Sequence, residues 1–120
     1  MSERTALTNE ELEAVLRSVW EKSLPVLRQR VTVLEKAAQA LRAGTLGDEL
    51  RNEASEESHR LAGLLGTFGY PEGTDAGRLL ELTFDPELEG GSAADMPQIS
   101  EDTLAKVESS VELLRKIVGD

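Results

Sequence analysis

His59 is the only histidine among the 120 residues. Near neutral pH an imidazole keeps a free lone pair on one ring nitrogen, and that lone pair can attack a phosphoryl group. Placed on a helix at 100° per residue, Leu50, Ala54, Leu61, Leu65 and Phe68 fall on one side. His59 falls about 160° from Leu61, in the middle of the opposite side. Asn52 and Ser55 share its face on the preceding turns, and Ala62, Gly63 and Gly66 on the following ones. An in-line phosphoryl donor must approach to about 3–3.5 Å, so the ring needs open ground around it. Each glycine inside a helix costs about 1 kcal/mol relative to alanine, so stability alone gives no reason for this patch. The ordinary reading of an exposed histidine is a surface residue without a role. Its cleared surroundings set this one apart.

Other chemistries find less support. Gly63, Gly66 and Gly69 form G-x-x-G-x-x-G, which matches neither the Walker nor the dinucleotide pattern, and no strand precedes it. Asp48, Glu49, Glu53, Glu56 and Glu57 read as a solvated helical face. There is no cysteine, which removes disulfides and thiolate zinc sites. One histidine cannot build a His-based metal cluster, so no metal site is expected.

The elements that must position His59 are helical, because Leu, Ala, Glu and Arg dominate and aromatics make up 3%. Thr8 and Glu11 form a capping box that opens the first helix. Its apolar positions run in helical phase from Leu12, Val15, Leu16 and Val19 through Trp20, Leu27 and Leu34 to Leu41. Trp20, Val19 and Phe68 are assigned to the core. Pro25 is expected to bend this helix or divide it into two nearly collinear pieces, and Gly44 ends it. The second helix is predicted over Leu46 to Phe68, with Gly69 as its stop and Pro71 opening the next. The third runs from Pro71 to Thr83, with Ala76, Leu79, Leu80, Leu82 and Phe84 inward and Gly73 and Gly77 weakening it. Asp85 to Gln98 reads as a mobile connector. Ser100 caps the last helix, whose stripe is Leu104, Val107, Val111, Leu114 and Val118.

The net charge of −10 argues against nucleic acid and against an anionic membrane surface. No apolar run approaches the roughly 20 residues of a spanning helix. The first residues carry no apolar h-region of a signal peptide, so a cytoplasmic setting is expected.

The segment His59-Arg60-Leu61-Ala62-Gly63, with Gly69 following, resembles the H-x-L-K-G phosphoacceptor motif of histidine phosphotransfer (HPt) domains of bacterial phosphorelays. The likeness continues through Tyr70-Pro71-Glu72. It implies an all-α fold: an antiparallel up-and-down four-helix bundle with an additional or kinked N-terminal helical segment, spanning residues 1–120 as one domain. It further implies that His59 accepts a phosphoryl group from a receiver-domain aspartate or a sensor kinase and passes it to a receiver aspartate. The chain would be a phosphotransfer intermediate and not an enzyme with its own kinase site. It would hold no cofactor, the Mg2+ residing on the partner receiver, and would be a monomer. Gly63 matches the family glycine beside the imidazole. The family lysine is replaced by Ala62, for which Arg60 or Arg78 could substitute. With Gly66, these residues make up the expected phosphoryl and partner surface. The departure at Ala62 leaves a second reading, a degenerate adaptor that docks receivers without being phosphorylated.

Overall fold

The computed structural model describes residues 8–85 and 99–119. They form four helices: α1 (Asn9–Ala43), α2 (Asp48–Thr67), α3 (Pro71–Phe84) and α4 (Glu101–Val118). The connector assigned to Asp85 to Gln98 falls, apart from Asp85, outside the described residues.

Local sequence sets the helix ends. Thr8 Oγ1 accepts from the Glu11 N–H and Glu11 Oε1 accepts from the Thr8 N–H, both at 3.0 Å, so the capping box is complete. Gly44 closes α1 at φ 74° and Gly69 follows α2 at φ 87°, conformations that side chains with a Cβ rarely adopt. Pro71 opens α3 where its missing N–H costs nothing. Ser100 caps α4 by accepting from the Thr103 N–H. The helix boundaries fall within two residues of those read from the sequence.

α1 continues through Pro25 as one helix. Its buried positions are Leu27, Val31, Leu34, Ala37 and Ala38, all in its C-terminal half. They meet Ala54, Leu61 and Leu65 of α2, Ala76, Leu80 and Phe84 of α3, and Val107, Leu114 and Val118 of α4 in a single core. Val19 was expected in that core and instead stands 45% exposed, as do Leu12, Val15 and Leu16 to similar degrees. The reason is length. α2 and α4 run antiparallel to α1 and end near its middle, leaving the first turns without a neighbour. Trp20 sits at the margin, edge-on to Phe68 with ring centroids 5.1 Å apart and beside Tyr70 at 5.0 Å. Leu82 also departs from its inward assignment, at 63% exposed. It lies on the solvent side of α3, away from Leu80 and Phe84.

Gly73 and Gly77, expected to weaken α3, are buried points of close helix approach. A Cβ on Gly77 would stand 3.0 Å from the Ala62 Cβ and 3.1 Å from its backbone, so glycine is what lets α3 lie against α2. A fully buried arginine ties the far end of this pair. Arg51 donates from Nε to the Phe84 carbonyl at 3.0 Å and from Nη2 to the Asp85 carbonyl at 2.9 Å, satisfying the end of α3.

Candidate functional site

The α2–α3 hairpin builds the site. Ser58, Leu61 and Ala62 turn inward, and Ser58 donates its hydroxyl to the Ala54 carbonyl at 2.7 Å. His59 therefore points outward, with 74% of its side chain exposed. Its Nδ1 lies 2.9 Å from Oε2 of Glu81 on α3. A carboxylate can only accept, so with Glu81 ionised the proton of that bond belongs to Nδ1 and the lone pair to Nε2. His59 lies in a shallow depression lined also by Ser55, Glu56, Arg60 and Glu81.

The other site residues separate into different roles. Gly63 has no atom within 4 Å of the position a Cβ would take, which is the open ground expected beside the ring. Gly66 is exposed but serves packing, since a Cβ there would meet Thr74 Oγ1 at 2.9 Å. Thr74 in turn donates to the Ala62 carbonyl at 2.8 Å. Ala62 does not share the open face. It is 6% exposed and packs under Gly77, because α3 covers that side of α2. Arg60 is engaged by Glu57 at 2.6 Å and Glu56 at 3.8 Å, and Glu57 also holds Arg30 of α1 at 3.0 Å. Arg78 is exposed, one turn before Glu81, and makes no ion pair or hydrogen bond among the described residues. Of the two candidate cations it is the one left uncompensated.

Glu81 was missed in the sequence, although a signal for it exists. α2 and α3 fold back on each other about Tyr70, and His59 and Glu81 each lie eleven residues from it. The same count pairs Gly66 with Thr74.

Among the described residues no group of three or more His, Cys, Asp or Glu could hold a metal ion, and no helix is long and apolar enough to cross a membrane. An exposed imidazole with its proton held by a carboxylate on the neighbouring helix is suited to nucleophilic attack on a group brought by another molecule.

The family model of the Hpt domain matches residues 19–117. The chain belongs to the Hpt domain family. No curated protein and no solved structure matches it. Membership assigns this Hpt domain to the phosphotransfer carriers of two-component phosphorelays, which work with receiver domains and kinases. The matched stretch begins inside α1 and ends in the last turn of α4, so Asn9 to Ser18 of α1 lie outside it.

Proposed function

We propose that this Hpt domain is a phosphorelay carrier phosphorylated on Nε2 of His59. The observation that carries the reading is the His59 Nδ1–Glu81 bond of 2.9 Å on an otherwise open imidazole. The Nε2 lone pair attacks the phosphorus of a receiver's aspartyl phosphate or of a kinase's phosphohistidine. The new N–P bond forms as the bond from phosphorus to the donor breaks, and the donor leaves with that electron pair. The product ring carries a positive charge with its Nδ1 proton retained, and the Glu81 carboxylate stabilises that charge. Transfer to a receiver aspartate is the reverse. The chain supplies the nucleophile and its orientation. Mg2+ and the acid pocket are assigned to the receiver, and the working site is cytoplasmic.

Arg78, exposed on α3 one turn before Glu81, is the cation assigned to the phosphoryl oxygens in place of the family lysine. Arg60 is less suited, being compensated by Glu57. The missing lysine has a packing cause that leaves His59 intact: the site of Ala62 lies beneath α3. That packing supports the carrier reading over a degenerate adaptor.

The test is phosphorylation with phosphoramidate followed by phosphorus NMR, then addition of receiver domains. An acid-labile phosphoryl group is expected on the wild type, lost to a receiver on mixing, and absent from His59→Gln. A folded wild type that takes up no phosphoryl group from phosphoramidate or from any phosphorylated receiver would overturn the proposal.

A further inference from the structure

Five of the seven large hydrophobic side chains exposed among the described residues lie on α1: Leu12, Val15, Leu16, Val19 and Val26. Leu12, Val19 and Val26 are spaced by sevens, with Val15 and Leu16 between the first two, which is the seam of a helix that packs against another helix. Leu12, Val15, Leu16 and Val19 of this stripe lie on the part of α1 that projects past the ends of α2 and α4. α1 passes the end of α4 at Arg28, which donates to the Val118 carbonyl at 2.8 Å, and the end of α2 at Trp20, which packs on Phe68 and Tyr70; beyond Trp20 it extends for about 16 Å toward Asn9. An isolated helical arm of that length is marginal in water unless its apolar side is covered. The described chain offers no cover.

We propose that this arm is the interface of a homodimer in which the arms of two copies pair antiparallel, crossing near Leu16. Charge selects the second copy and the direction. Beside the stripe, Glu11 and Lys22 flank the same edge at opposite ends of the arm. Antiparallel pairing sets Glu11 of each copy near Lys22 of the other, twice by symmetry. Parallel pairing sets Glu11 of one copy level with the acidic Glu13 of the other. The aromatic cluster of Trp20, Phe68 and Tyr70 continues the stripe into a groove also lined by Leu16, which receives the tip of the other arm. His59 lies on α2 facing α3 and stays free in both copies, so the dimer stands apart from the phosphotransfer reading.

Sedimentation equilibrium over a concentration series should show the 13.1 kDa chain shifting to twice its mass. Val15→Glu and Val19→Glu should hold it at the monomer mass, with unchanged helicity by circular dichroism because both sites are exposed. The chain contains no cysteine, so single cysteines report direction. Under mild oxidation Leu16→Cys should cross-link in high yield and Leu12→Cys should not, since only residues at the crossing meet their own copies. A monomer at every concentration would overturn the proposal, including one whose arm is covered by residues 1–7. Cross-linking at both positions would mean parallel pairing and would overturn it too.

Discussion

With Nδ1 turned to Glu81, the ring nitrogen left open on His59 is Nε2, and in the proposed transfer the carboxylate lies where the ring's charge would develop. Glu81→Ala should leave the fold intact, because both partners are at the surface, yet slow phosphoryl acceptance. A hydrogen bond to a charged group contributes about 1.5–3 kcal/mol, reduced here by exposure, so a loss of about tenfold in rate is expected. Rapid-quench transfer kinetics check it, and an unchanged rate would reduce Glu81 to a surface contact. Gly63→Lys should also fold and yet block transfer, since nothing within 4 Å opposes the new side chain except the approaching partner. At this scale the sequence showed His59 and Gly63 clearly, because periodicity alone puts both on the polar face. It misplaced Ala62 for the same reason. A single-helix projection separates the faces of one helix but does not say which part of the polar face a second helix will cover. Burial of Ala62 is a property of the α2–α3 pair.

Helix pairs are held by two different means, and these respond to different perturbations. α2 and α3 meet through small residues, with Gly77 over Ala62 and Gly73 over Leu65. Gly77→Leu would force the helices apart and should cost about 1–3 kcal/mol by overpacking. It should also break the His59–Glu81 bond, so that transfer falls together with the denaturation midpoint. α1 and α4 share the apolar core and are tied across its edges by ion pairs. Arg115 makes a two-point contact with Glu35, and Arg42 does so with Glu101 and with Glu108. Hydrogen bonds from these arginines hold all three carboxyls below the ordinary carboxylate value, while Glu101 and Glu108 raise Arg42 in return. For groups whose folded value is depressed, the stabilisation is complete above the unfolded carboxylate value and is lost as pH falls through the folded one. Melting temperatures should therefore be flat near neutrality and fall below about pH 4. Arg115→Met should show a smaller acid-induced drop than the wild type. The helix ends were legible at this scale because caps are local: Thr8, Gly44, Gly69, Pro71 and Ser100 each act within a few residues. Arg51 was not, since a buried arginine in an acidic stretch becomes recognisable only once the Phe84 and Asp85 carbonyls arrive against it.

The molecule as a whole is longer than its core requires. Its radius of gyration is 17.0 Å and its greatest extent 62 Å, where a compact chain of this length would have a radius of roughly 14 Å. The excess is the arm of α1. Unbroken apolar phase from Leu12 to Leu41 left one bent helix or two collinear pieces open at Pro25; α1 is one helix, and phase carries no information about where the partner helices stop. The bundle proper begins near Leu27, the first buried position of α1, and the family match begins at Val19. A chain starting at Val19 should accordingly keep the whole buried core, the Trp20 contacts with Phe68 and Tyr70, and the hairpin that holds His59. Because the four residues removed from the stripe's start or left at its new end are exposed in the single chain, the truncation should change the denaturation midpoint little at concentrations where the full chain is monomeric. Phosphoryl acceptance from phosphoramidate should be unchanged. Calorimetry and phosphorus NMR on the shortened chain would check both. A collapse of the midpoint would mean that the arm supports the bundle within one chain. A stable bundle with lost acceptance would mean that the arm contributes to the His59 surface, in conflict with its position beyond the end of α2.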